Sequence, residues 1–404
     1  MPPPKSSIFL LALVYISFIS LGLPDGVLGV AWPAMRAALN QPVEAAGLVT
    51  MVLTSCAALS GFASGPVLRR FSAGQVVTAS GAMTALALLG VSQVPTFTFL
   101  LLLAVPLGFG AGAVDSAMNH FVARHYSSRH MNWLHGFWGL GATLGPAIMG
   151  AALAQSALGA DSGSAGWRAG YLYIGALQLG LAVVFLLSLG LWKHAAERVM
   201  PSTGAAILSE LPAPHPMALW LAPFLFFLYA GIEVGTSLWA ATVLIEERQV
   251  SGVTAGLWVS AFFGAIMGGR FATGFISRRF GNRRLVRYGL VLAVLGAGLF
   301  SVGSLPAAYS LIGLVLLGLG CAPIYPSLMH EAARRFDAAT TQKVIGRQVG
   351  SAYIGCVVLP AALGLIGATW GLWLIMPLIA AMALLLLWLS SSLDAMTEPY
   401  NPSH

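Results

Sequence analysis

The stretches LGFGAGAVDSAMNHFVARHY (107–126) and LGLGCAPIYPSLMHEAARRF (317–336) decide the fold, because they are one segment written twice. Gly108, Gly110, His120, Ala123, Arg124 and Tyr126 of the first stand opposite Gly318, Gly320, His330, Ala333, Arg334 and Phe336 of the second, at a shift of about 210 residues. Two apolar helices can coincide in Leu and Ala content by chance. They do not also align His and Arg by chance, so the match marks an internal duplication. The following segments shift together: Gly136, Gly141, Pro146 and Gly150 match Gly350, Gly355, Pro360 and Gly364.

Outward from these copies the chain is short of charge. Of 404 residues, 20 are Lys or Arg and 13 are Asp or Glu, which is 8% charged against roughly 25% in a soluble domain, while 58% are hydrophobic. That excludes an ordinary water-soluble fold, since too little polar surface is available to wrap it. The net charge of +7 is dispersed and forms no basic face, so no nucleic-acid partner is expected. Cys56, Cys321 and Cys356 lie in apolar runs and suggest neither a disulfide framework nor a metal site.

About 20 apolar residues cross a bilayer as a helix, and twelve such runs occur. Their approximate limits are 8–32, 45–68, 74–93, 97–123, 133–155, 168–192, 217–244, 252–276, 285–303, 306–329, 347–368 and 371–391. The runs lack the alternation of barrel strands, so the expected class is an all-α polytopic membrane protein. The first run is too long for a signal peptide and is followed by eleven more, so it is expected to stay attached.

Basic residues orient the spans, because Lys and Arg gather in cytoplasmic loops. Lys5, Arg69, Arg70, Arg124, Arg129, Lys193, Arg198, Arg278, Arg279, Arg283, Arg284, Arg287, Arg334, Arg335, Lys343 and Arg347 fall on one side. Only Arg36, Arg168 and Arg248 fall on the other, and Arg270 sits near the inner end of the eighth run. Both termini are therefore expected in the cytoplasm and the chain in the cell inner membrane. The longest polar interruption divides the chain into a bundle at 1–192, a linker at 193–216 and a bundle at 217–404, and such duplicated bundles are a common transporter architecture.

The loops after the second and eighth runs read GPVLRRFSAG (65–74) and GFISRRFGNRR (274–284). Both resemble the loop signature of the major facilitator superfamily: Gly, three residues, Asp, Arg, any residue, Gly, then basic residues. Gly65, Arg69 and Arg70 carry the first copy, and Gly274, Arg278, Arg279, Gly281 and Arg283 the second. The resemblance implies twelve helices in two pseudo-symmetric six-helix bundles and a gating role for these loops. Arg69 and Arg278 stand where the signature has Asp, so a latch built on that acid is in doubt.

An ionised side chain in mid-membrane costs at least about 2.5–3.5 kcal/mol, so Asp25, Asp115 and Glu233 each need a reason. Asp25 follows Pro24, which breaks the helical ladder; its carboxylate either satisfies that break or binds solute or proton. Asp115 and Asn119 share a helix stripe with Gly108 and Gly112, a polar face for a ligand or for helix–helix contact. Glu233 has Tyr229 and Ser237 a turn away on either side, and either lines a solute site or joins helices. Tyr325 takes the Asp115 position in the second half. His135, Trp138 and Tyr353 fall where facilitators often line their cavity. Among eleven Trp, those at 32, 133, 167, 192, 220, 370 and 373 suit an interfacial belt, leaving Trp138, Trp239 and Trp258 as candidates to stack on a ligand.

VDSAMNHF (114–121) resembles the fucose/proton symporter branch, which has an acid four residues before an Asn there and another acid in the first span. The resemblance implies that Asp115 couples the proton, with Asp25 a sugar-binding or coupled partner. Burial disfavours the charged form of a carboxylate, which can then exchange a proton as water or a cation comes and goes. The expected activity is proton-driven symport of a small polar solute, a hexose or deoxyhexose, with the proton as coupling ion and no cofactor. GATLGPAIMG (141–150) also resembles antiporter branches, which keeps proton-coupled efflux of drugs or metabolites as the alternative. No phosphate loop or hydrolase motif occurs, so no enzyme is expected. The expected partners are solute and bilayer, and the chain is expected to be a monomer.

Overall fold

A computed structural model describes residues 5–126, 128–157, 165–195 and 215–397. Residues 196–214, at the heart of the expected linker, lie outside the described ones, as do the side chains of Lys5, Arg124, Arg129, Lys193 and Arg278. The described residues form helices and no strand. Twelve are long and apolar enough to span a membrane: Phe9–Ala38, Ala45–Arg70, Ala73–Ser92, Phe97–Val122, Trp133–Ser156, Ala165–Leu187, Ala218–Glu246, Gly252–Ser277, Asn282–Ser301, Ala308–Ala332, Lys343–Trp370 and Leu372–Met396. They are numbered spans 1 to 12 below.

The packing repeats between halves. Span 1 packs on 5, 2 on 4, and 3 on both 4 and 6; correspondingly 7 packs on 11, 8 on 10, and 9 on both 10 and 12. The halves meet through span 5 against 8, span 2 against 11, and the second part of span 1 against 7.

Some of these contacts are close enough to exclude any side chain. At the far side, away from the arginine-rich one, a Cβ on Gly29 would lie 2.4 Å from the Ser237 carbonyl oxygen, and one on Gly47 2.9 Å from the Ala361 Cα, so only glycine admits the opposite half this closely. Arg36 clasps Glu246 across the same seam at 2.6 Å. Toward the arginine-rich side, Gly65, Gly274, Gly346 and Gly350 meet no neighbouring helix within 4 Å. Spans 5 and 8 stay in contact toward that side, where a Cβ on Gly136 would lie 2.4 Å from Phe271, while these four glycines are left uncovered.

The three far-side arginines each have a structural task. Besides Arg36, Arg168 donates to the Ser92 and Val94 carbonyls (3.1 and 3.0 Å), and Arg248 to those of Phe300, Val302 and Leu305. Arg168 and Arg248 thus satisfy the orphan carbonyls where spans 3 and 9 end, a position that also favours a cation.

The arginine-rich ends of the two halves are built differently. In the second, Glu331, 2% exposed, accepts from Asn282 (3.2 Å) and Arg283 (3.0 Å) and faces Arg334, while Asp394 pairs with Arg335, Arg283 and Arg287. Burial lowers the pKa of the Arg335 guanidinium from its ordinary value, against the opposing pull of Asp394. In the first half, Trp192 lies on Gly74, where a Cβ would fall 2.4 Å from the indole, and edge-on to Phe121 at 5.2 Å. The signature loops differ too: Gly281 turns with φ +75, whereas Ser72 opens span 3 with a capping box to Gln75. Trp32, Trp167 and Trp192 are at most 2% exposed, so they are core residues and not the interfacial belt expected of them; their span ends are covered by neighbouring helices. Trp220, Trp370 and Trp373 are exposed, as a belt requires.

Candidate substrate and proton site

Span 1 is interrupted midway. Its helix stops at Gly22 and resumes at Val27, because Pro24 has no N–H to continue the ladder and Gly26 takes φ +72. A side chain at Gly26 would also meet Phe263 of span 8 (2.7 Å) and Pro146 of span 5 (3.0 Å), so the break is wedged into the seam between halves. The Asp25 carboxylate does not cap the interruption. It accepts a 2.7 Å hydrogen bond from the Trp138 indole N–H of span 5.

Trp138 has a second task. The Arg270 guanidinium of span 8 lies over its ring, 4.9 Å from the centroid, and Phe263 meets its edge at 6.0 Å. One indole therefore holds Asp25 by its N–H and Arg270 by its π face. With that face covered, Trp138 organises the polar groups and is not the free stacking platform expected for a ligand.

Arg270 reaches Glu233 at 3.4 Å, with the two side chains 12% and 13% exposed. Tyr229 donates its hydroxyl to the same Glu233 oxygen, and also lies 3.2 Å from the Cys321 carbonyl oxygen. The Arg270 Nε is buried without a hydrogen-bond partner. Asp25, Trp138, Arg270, Glu233 and Tyr229 thus form one polar chain from span 1 of the first half to span 7 of the second.

Asp115 stands beside this chain on span 4. Asn119 turns back on it, donating to its carboxylate at 2.9 Å and its carbonyl at 3.0 Å. Tyr325 and Tyr353 of the second half lie within electrostatic reach of Asp115. Tyr325 packs on Phe226 and Tyr229, with centroids 5.0 and 6.1 Å apart. The Tyr353 hydroxyl and Ser116 both border Gly61 of span 2. His135 lies edge-on to Phe18 at 5.5 Å and feels the Arg270 charge.

Two expected residues do not join. The Ser237 hydroxyl donates to Val234 of its own helix, and Trp239 is buried with its N–H on the Pro360 carbonyl oxygen. In the loop motif, Gly65 and Gly274 line open space, and Arg69, Arg70 and Arg279 are exposed. Arg283 belongs to the charge network of the second half.

Sequence reasoning missed Arg270 by treating it as a straggler of the loop arginines. The available signal was depth: it lies eight residues, about 12 Å of helix, inside Arg278. Phe263 was also missed; a single apolar residue in an apolar span gives no signal.

Two six-helix halves in this packing, meeting around a polar seam at mid-membrane, are the arrangement of one transporter family, and the sequence matches it. A family model described as Major Facilitator Superfamily matches residues 14–346 and 224–402. The chain belongs to this superfamily. Among curated relatives, the glucose/mannose transporter GlcP of Bacillus subtilis (strain 168) is 23% identical over 354 residues, covering 85% of this chain and 86% of the relative. Among solved structures, a bacterial homologue of the human lysosomal transporter Spinster, inward-facing and occupied, superposes with TM-score 0.77 at 15% identity over 99% of this chain and 100% of that one. The nucleoside transporter NupG superposes with TM-score 0.69 at 16% identity over 98% and 100%. At these identities the structural likeness speaks for the fold, and this superfamily member is a membrane transporter. The GATLGPAIMG glycines are packing sites here: Gly141 and Gly145 admit span 1, and Gly150 admits span 8.

Proposed function

We propose that this transporter is a proton-coupled symporter of a small polar solute, a hexose or deoxyhexose, working by alternating access in the cell inner membrane. Both termini face the cytoplasm, which makes the arginine-rich face the inward one. The observation that carries the reading is the polar chain at the seam, in which Arg270 neutralises Glu233 and leaves Asp25 with only the neutral Trp138 N–H. Among the described residues no second Lys or Arg lies so deep in the spans, so Asp25 and Asp115 lose their charge penalty by taking up a proton. Binding of solute and proton at a junction between halves links both to the rocking motion. Donors on Arg270, Tyr229 and Asn119 beside carboxylate acceptors suit hydroxyl groups, which both give and accept hydrogen bonds. The glucose/mannose relative supports a sugar.

Uptake by proteoliposomes under an imposed pH gradient tests this. We expect glucose, mannose or fucose to accumulate with an acidic exterior and to carry protons inward. Asp115→Asn, or Asp25→Asn, is expected to keep exchange of labelled for unlabelled solute while losing accumulation against a gradient. Proton-driven export of lipophilic cations, with no sugar-dependent proton entry, would reverse the assignment to antiport.

A further inference from the structure

The first copy of the loop signature ends in two arginines that the transport site does not use. Arg69 and Arg70 close span 2, are exposed, and make no hydrogen bond or ion pair among the described residues. Their counterpart Arg279 in the second half is exposed too, with its guanidinium over the Phe280 ring at 5.9 Å. A depression of about 320 Å³ lies against the Arg69–Arg70 pair, walled by Pro66, Val67 and Phe71.

Val67 also forms a wall of a second, smaller groove, of about 170 Å³, which lies between spans 2, 3 and 4 and is mostly apolar, with Ala63, Leu68, Val76, Phe109 and Ala113 beside the hydroxyl-bearing Ser60 and Ser64. The groove has a backbone cause. Spans 2 and 4 touch at Gly108 and Gly112, where a Cβ would fall 2.1 Å from the Leu53 and Ala57 carbonyl oxygens, and the Ser60 hydroxyl donates to the Phe109 carbonyl at 2.7 Å. The next contact toward the arginines is the Ser116 hydroxyl, 3.3 Å from where a Cβ on Gly61 would lie, and a Cβ on Gly65, one turn on, would meet nothing within 4 Å. Ala63 lies seven residues from Arg70, about 10 Å along the helix axis, so the groove runs into the depth of the acyl chains while the arginines stay at the headgroup level.

We propose that Arg69 and Arg70, with the groove between spans 2, 3 and 4, bind an anionic phospholipid of the adjoining leaflet. The phosphate pairs with the two guanidinium groups and one acyl chain fills the groove. Guanidinium forks match phosphate oxygens, and basic pockets between transmembrane helices suit anionic headgroups. A soluble phosphate has no use for the apolar groove. Arg279 and Arg284, also exposed, line neither of these two cavities.

The test is titration of the detergent-purified full chain with dioleoyl phosphatidylglycerol, read by intact-complex mass spectrometry. Two basic residues near an anionic surface are together worth about thirtyfold, so Arg69→Gln/Arg70→Gln is expected to weaken the first lipid bound by about that factor. Arg279→Gln/Arg284→Gln, equal in charge change, is expected to leave it unaltered. Ala63→Trp, or Ala63→Leu if the tryptophan variant fails to fold, is expected to weaken the same lipid by filling the groove. Equal loss in both arginine pairs would overturn the proposal in favour of diffuse surface charge. So would phosphatidylcholine with the same chains binding as tightly, undiminished binding to the groove-filled variant, or glycerol phosphate competing as well as the lipid.

Discussion

At the arginine-rich base of the first half stand Gly74, Phe121 and Trp192; the second half has Arg283, Glu331 and Asp394 at corresponding levels. One base is a tryptophan laid on a glycine, the other a ring of buried acids and arginines. The same contrast holds at mid-membrane. Asp25 lies in a broken helix and takes a neutral indole N–H, whereas Glu233, about 210 residues on, lies in an unbroken helix and takes a guanidinium. Duplication has kept the helix packing while the chemistry of each half diverged. Packing needs small residues at fixed spacing, but a polar contact can be replaced by an apolar one of similar volume.

The sharpest way to break this contrast is Arg270→Gln, which leaves Glu233 buried without its cation. A buried charge stripped of its partner costs about 3–5 kcal/mol, so solute transport is expected to fall by more than about 100-fold. Adding Glu233→Gln is expected to restore part of the binding measured by thermal shift. If the double variant is as impaired as the single one, the pair does more than neutralise. At the bases, Trp192→Ala is expected to lower stability by about 3–5 kcal/mol, read as a lower thermal midpoint that does not change with salt. Glu331→Gln should cost less, about 2–3 kcal/mol, because Arg283 is 28% exposed and partly solvated. The smallest effect belongs to Gly74→Ala, about 1–3 kcal/mol, since Trp192 must move to admit a methyl group. An unchanged midpoint there would show the first base to be looser than the contact implies.

Much of the architecture was legible in the sequence. The twelve spans emerged within a few residues of their limits, because length and continuous apolarity are what a bilayer demands. The first span ran six residues further than its expected limit, to Ala38, carrying Arg36 to Glu246. Asp25, Asp115 and Glu233 could be found because any acid at that depth is conspicuous. Arg270 was hidden by five arginines following it, and the role of Trp138 was hidden because an indole looks alike as core, belt or platform until its neighbours are known. Trp32 and Trp167 illustrate the same ambiguity: a tryptophan near a span end meets lipid only when no other helix covers it.

The Arg36–Glu246 clasp ties the seam between the halves to the solution at the far side. Whatever opens the far face must first part these two side chains, which are 31% and 24% exposed and so remain within reach of dissolved ions. Mobile ions screen exposed charges strongly and a partly buried pair such as this one more weakly. Parting of the clasp is therefore expected to ease modestly in brine, which makes salinity on that side a weak throttle on opening.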